Sequence, residues 1–214
     1  DETVYAAESY SEKIAIKIRT IELLSTLDML SLVILVIMQT LKAMQMAMQN
    51  RLLEQKAFVD AHTGLPNKNA CNELLNKKDI ITDPTACIMF DLNNLKIIND
   101  TKGHSKGDQL ILNFARFLRN IIPKEAFVGR YGGDEFMVVI YNTSKTEIED
   151  ILMQLSREKD SLNSRGNDMP IDYACGWAIS DADGECTIQM LLDKADYYMY
   201  ENKQSRKKSM QSTK

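Results

Sequence analysis

The chain has 214 residues, enough for one domain of ordinary size and a further segment. With 44% hydrophobic and 26% charged residues it can bury a core, which excludes global disorder. A formal net charge of −4 argues against a broad nucleic-acid surface, and no nucleic-acid partner is expected, although the stretch from Lys203 onward is basic.

The chain divides near residue 60, into 1–59 and 60–214. The first part contains neither glycine nor proline, so a helix is predicted from about Val4 to Val59. Such a length suggests a coiled coil, a membrane span or both. Met38, Leu41, Gln45, Met48, Leu52, Gln55 and Val59 follow a 3-4 spacing, a modest seam for a parallel dimer stalk. A single helix lying along its own domain is the plainer alternative. Thr20 to Leu41, about residues 20–41, could just cross an apolar layer of about 30 Å at about 1.5 Å per residue. Glu22 and Asp28 lie inside it, and a mid-membrane acid costs on the order of 3 kcal/mol. A membrane helix and a bundled soluble helix therefore both stay open. The chain begins at Asp1, without a start methionine, and is expected to be a piece of a longer sensor protein.

Beyond residue 60 the pattern shortens. Ala86–Asp91 is a short apolar run, a buried strand. Gly107–Ile122 sets Leu110, Phe114, Phe117, Leu118 and Ile121 on one helical face, and Pro123 stops it. "AFVGRY" and "EFMVVIY" read as strands joined through Gly132 and Gly133 in a hairpin turn of positive φ. Thr146–Leu162 reads as helix, Ile171–Ile179 as strand and Thr187–Lys203 as helix. The expected class is α+β, helices around a mixed antiparallel sheet. Cys71, Cys87, Cys175 and Cys186 form no CxxC pair. Cys87 and Cys175 sit in apolar runs, as buried free thiols in a reducing compartment do.

Asp91 ends the first strand and Asp134 opens the strand after the glycines. If those strands are neighbours, two carboxylates meet at one sheet edge with no balancing Lys or Arg. A hard cation such as Mg²⁺ relieves that repulsion, especially beside substrate phosphates. Taken alone, the Gly-Gly-Asp-Glu string is as well explained by a turn with solvated acids.

"RYGGDEF" (Arg130–Phe136) lies downstream of "FDLNNLKIINDTKGHSKGD" (Phe90–Asp108), which follows "DAHTGLPNK" (Asp60–Lys68). Together these resemble the GGDEF family of diguanylate cyclases, from about Asp60 to Lys207. The resemblance implies a fold similar to the palm of nucleotide cyclases. It also implies condensation of two GTP into cyclic di-GMP with release of two pyrophosphates. Asp91, the Leu92 carbonyl and Asp134 would hold Mg²⁺, or Mn²⁺ in its place. Asp134 and Glu135 would be catalytic, Glu135 as proton acceptor or orienter of the reacting hydroxyl.

Asn99 and Asp108 match the residues that read the guanine edge, with His104 near the same pocket. For Asp108, which stands where a helix is expected to begin, helix capping is the alternative. Asn94 and Leu95 match the loop whose amides face the phosphates, with Lys96 beside them. Lys203 matches a phosphate-binding lysine, and either Arg206 or Lys207 stands for the arginine expected four positions later. The resemblance also implies an antiparallel homodimer, one GTP to each domain, controlled through the N-terminal helix. The catalytic domain would be cytoplasmic, with the inner face of the cell membrane as a candidate anchor.

Three departures stand out. His62 replaces a leucine and is expected to shift packing rather than chemistry. Asn93 replaces a second aspartate near the metals without touching the direct ligands. "PKEA" (Pro123–Ala126) replaces the Arg-x-x-Asp inhibitory motif, so no inhibitory site is expected there. A catalytically silent module that binds GTP or a partner protein and relays a signal is the rival to an active cyclase.

Overall fold

The computed structural model describes residues 2–211 apart from 78, 167–168 and 181–184. For residues 2–9, 11, 55 and 206–211 it describes helical backbone alone. Two compact units emerge, Asp1–Leu53 and Glu54–Lys214. The first belongs to helix α1, Glu2–Phe58, which agrees with the uninterrupted helical reading. Its apolar side chains, from Ile14 through Leu52, are exposed, and the helix is long and apolar enough to cross a membrane by length and composition.

The second unit follows the chain order α2 (Lys68–Asn76), β1 (Thr85–Leu92), α3 (Leu95–Lys102), α4 (His104–Ile121), β2 (Phe127–Arg130), β3 (Glu135–Tyr141), α5 (Lys145–Ser164), β4 (Tyr173–Ile179) and α6 (Ile188–Gln211). The α+β expectation holds. The four strands form one sheet in the order β2-β3-β1-β4, with every pairing antiparallel.

Strand β1 lies inside the sheet and is buried along its whole length. Its period of two divides it cleanly. Ala86, Ile88, Phe90 and Leu92 enter one core with Leu110, Phe114 and Leu118 of α4. Phe114 lies at the middle of its aromatic cluster, its ring centroid 5.0 Å from that of Phe136 and 6.0 Å from that of Phe90. Cys87 and Met89 enter the opposite core with Leu191, Ala195 and Met199 of α6. Continuing the alternation puts Asp91 on the α6 face. The same rule applied to β3, where Met137 and Val139 join the α6 core, puts Glu135 there too.

On β4 that face presents Ala174, Gly176 and Ala178, a row without bulk. Helix α6 therefore lies against the sheet backbone itself: a Cβ on Gly176 would strike the backbone of Ala195, Tyr198 and Met199. This close approach fixes where the end of α6 meets the end of β1.

Three expectations are corrected. Gly132 and Gly133 do not have positive φ; among the described glycines Gly64, Gly103 and Gly166 do. The turn closes instead by the Tyr131 and Gly132 N–H groups donating to the Glu135 carbonyl at 2.8 and 3.1 Å. Glycine at 132 leaves room for the Glu135 side chain, which a Cβ there would strike. Helix α4 starts at His104, three residues before Gly107, so Asp108 is its fifth residue and not a cap. The helices α2 and α3 have no counterpart in the sequence reading. Helix α2 is started by Asn67, whose side chain accepts from the Asn69 and Ala70 N–H groups.

No disulfide joins the four cysteines; Cys71, Cys87 and Cys186 are buried and Cys175 is half-buried. Burial pushes the Cys71 thiol up to about 12 and raises Cys87 as well, so neither is a ready nucleophile.

Candidate active site

The ladder register sets Asp91 directly opposite Glu135. Directly opposite residues of an antiparallel pair share a face, so these two carboxylates stand together on the α6 side. Asp134 comes one residue before β3, and its carbonyl accepts from the Leu92 N–H at 2.8 Å. All three acids thus collect at one edge of the sheet. Glu135, and not Asp134, is the one in register with Asp91.

Asp91 is 7% exposed. Its Oδ2 accepts from the Lys203 Nζ at 2.7 Å, whereas its Oδ1 is buried with no hydrogen-bond partner. The expectation of a pair of acids without a balancing cation is therefore corrected: Lys203 is that cation. The arrangement nevertheless leaves one anionic oxygen unsatisfied, and a buried unpaired acceptor is costly unless a donor or cation reaches it.

Glu135 feels the crowding. Burial, first, raises its carboxyl above the ordinary 4.5, followed by the charges of Asp134, Asp91 and Asp196, while Lys68 acts in the opposite direction. Because the native state binds this proton more tightly than the unfolded chain, Glu135 destabilises the fold above its raised folded pKa and not below the unfolded one. Glu135→Gln is expected to raise the melting temperature at neutral pH, and the gain should fade as the pH drops towards 4.5. Melting curves across that range check this; a gain that persists undiminished in acid would contradict it.

The cavity here has a volume of about 450 Å³ and is lined by Asp91, Glu135, Asp193, Asp196, Tyr200 and Lys203, with Tyr197 and Met199. Asp193 and Asp196 were not anticipated. They lie on α6 in a pattern indistinguishable from a solvated helix face.

The remaining anticipated residues fall in three groups. Asn94 adopts a left-handed conformation (φ 64°) and caps α3, its carbonyl accepting from the Ile98 N–H at 3.0 Å. Leu95 and the exposed Lys96 form the first turn of α3, whose free amides suit an anion. Asn99 on α3 lies against Gly107, where a Cβ would strike its side-chain oxygen. Asn99 thus packs on the α4 residue that precedes exposed Asp108, with exposed His104 one turn earlier than Asp108. Arg206 and Lys207 lie on the α6 backbone beyond Lys203, and their side chains fall outside the described residues.

His62 is exposed, so it is no substitute for an apolar plug. Its Nε2 is 2.8 Å from the Asp108 carbonyl oxygen, as a hydrogen-bond donor would be. A further tie escaped the sequence reading. Arg130 donates to both oxygens of Asp60 at 3.2 Å and to the Gly133 carbonyl at 2.9 Å. Thr63 donates twice to the same Asp60 carboxylate. The loop after α1 is thus bonded to the signature turn.

These donors suit a hard cation. They are oxygens, several carry negative charge, and one buried carboxylate oxygen awaits a partner. Among the described residues no three His, Cys, Asp or Glu side chains form a metal-holding group. Mg²⁺ does not require one, since it is commonly bound through one or two carboxylates plus substrate phosphates.

An antiparallel four-stranded α+β sheet with acids at one edge and a lysine-bearing helix against it defines a palm-like domain. The chain belongs to the GGDEF family: the family model described as "Diguanylate cyclase, GGDEF domain" matches residues 57–209. It is 31% identical over 162 residues to the signaling protein YkoW of Bacillus subtilis, covering 72% of this chain and 20% of that protein. It is 30% identical over 175 residues to diguanylate cyclase DgcP of Escherichia coli, covering 77% and 50%. The chain thus spans between a fifth and a half of the length of these two relatives.

Among solved structures, the coiled coil and GGDEF domain of DgcB from Caulobacter crescentus in complex with c-di-GMP aligns with a TM-score of 0.68 at 21% identity. That match covers 78% of this chain and 91% of the other. A sensory box/GGDEF family protein from the same organism aligns at 0.57 with 30% identity, covering 70% and 99%.

Proposed function

We propose that this domain condenses two GTP into cyclic di-GMP and two pyrophosphates, across an antiparallel pair of identical domains. The observation that carries the reading is the Asp91 carboxylate, in register with Glu135, one oxygen on Lys203 and the other buried and unsatisfied. Membership of a diguanylate cyclase family supports the choice of substrate.

Asp91, Asp134 and the Leu92 carbonyl would hold Mg²⁺, or Mn²⁺, which would lower the pKa of the attacking 3′-hydroxyl and offset charge on the α-phosphate. Glu135, already disposed to keep a proton, takes up the proton of that hydroxyl or orients it. The first turn of α3, at Asn94, Leu95 and Lys96, receives phosphate oxygens. Lys203 exchanges Asp91 for the triphosphate, assisted by Arg206 or Lys207. Asp108 accepts from adjacent N–H groups of guanine, which adenine does not offer in that arrangement, and Asn99 completes the contact. His104 borders this pocket.

One domain holds one nucleotide, so in-line attack needs a second domain facing it. Helix α1 would serve as the dimer stalk, with residues 20–41 as the candidate anchor to the inner face of a membrane and the catalytic unit in the cytoplasm. A sensor upstream would act through it.

The test is incubation of purified dimer with GTP and Mg²⁺, followed by chromatography. Pyrophosphate and cyclic di-GMP are expected, with a loss on the order of 10³-fold in Asp134→Ala. A second reading, a silent module that binds GTP and relays a signal, follows if Lys203 keeps its ion pair with Asp91 instead of moving to the triphosphate. GTP binding without product in a verified dimer would select it.

A further inference from the structure

Asn93 follows Leu92 at the end of β1 and precedes Asn94, the left-handed residue that starts α3. Its N–H donates to the Asp172 carbonyl at 2.9 Å, and its side-chain Nδ2 donates to Asp172 Oδ2 at 3.0 Å. Asp172 directly precedes Tyr173, the β4 residue paired with Leu92. One backbone bond fixes the position of the chain as it leaves the sheet. A second, charge-assisted bond from the same residue fixes its twist.

The groups that the cyclase reading gives to the nucleotide from α3, at Asn94, Leu95, Lys96 and Asn99, all come after that point. The aspartate expected at position 93 from the family resemblance would oppose one carboxylate with another. The side-chain amide of Asn93 instead donates to Asp172.

We infer that Asn93 is a positioning residue: through Asp172 it sets the angle at which α3 presents its first turn to the phosphates of a nucleoside triphosphate. The inference rests on the cyclase reading for the identity of the nucleotide. The contact with Asp172 stands without it. The residue acts through the loop and not on the reacting atoms.

The experiment compares the intact protein with Asn93→Asp and with the double variant Asn93→Asp, Asp172→Asn. GTP affinity is read by displacement of a fluorescent GTP analogue, which needs no turnover. Hydrogen exchange is followed at the hydrogen-bonded amides of α3, residues 98–102, and, as a control, 86–89. Asn93→Asp should weaken GTP binding on the order of tenfold. It should also speed exchange at 98–102 without altering 86–89, and the double variant should restore both.

Unchanged exchange at 98–102, acceleration spread equally into 86–89, or no restoration would each overturn the inference. If the parent protein binds no GTP, the cyclase reading falls and the exchange pattern alone decides the positioning role. Should Asn93→Asp fail to fold, Asp172→Ala, which removes the acceptor, is read by itself: faster exchange confined to 98–102 supports the inference, and an unchanged rate overturns it.

Discussion

Asp91→Asn is expected to abolish detectable cyclic di-GMP production, a fall at least on the order of 10³-fold. The substitution preserves volume and strand, so the loss tests charge alone. It should also lower stability, because the Lys203 ammonium loses the carboxylate it meets at 2.7 Å. Lys203 remains 34% exposed, so water recovers part of that loss. The expected cost is about 1–3 kcal/mol, below that of breaking a fully buried pair. Adding Lys203→Met should recover most of the stability and none of the turnover, because the stranded charge is gone and the acid is still missing. Urea denaturation and product chromatography on the same samples separate the two effects. Full turnover in Asp91→Asn would refute the cyclase reading.

Gly176→Ala should have the second-largest effect, through packing. The added carbon meets backbone atoms of Ala195, Tyr198 and Met199, none of which can swing aside as a side-chain tip can. Either α6 lifts from β4 or the strand bends. The expected destabilisation is about 3 kcal/mol, read by denaturant titration. Helix α6 carries Lys203, so the protein that still folds should show reduced turnover. Gly133→Ala is the contrasting case: its Cβ would enter open space and its φ is not positive, so a stability change within about 0.5 kcal/mol is expected. A similar loss at both positions would contradict the close-approach account.

The strands and long helices were legible because each has a clear period. Ala86–Phe90 is an unbroken apolar run of strand length, and the apolar positions Leu110, Phe114, Phe117, Leu118 and Ile121 repeat every three or four residues. Helices α2 and α3, with nine and eight residues, are too short to show a period. The early start of α4 was hidden because His104, Ser105 and Lys106 carry no apolar signal. The double glycine suggested a left-handed turn when its first member is needed as space for Glu135.

At the site, the acids were legible as types and not as partners. That Asp91 faces Glu135 follows from strand register, which a linear pattern does not contain. Lys203 reaches Asp91 across more than a hundred positions, and Arg130 reaches Asp60 across seventy. Contacts at such separation leave no local trace.

The Arg130 guanidinium has a mechanical consequence. One rigid, planar group grips the carboxylate that follows α1 and the peptide carbonyl adjoining Asp134. Displacement of either grip drags the other, as a clutch plate couples two shafts. A pull or twist arriving at Asp60 would therefore reach the signature turn through a single side chain rooted at the end of β2.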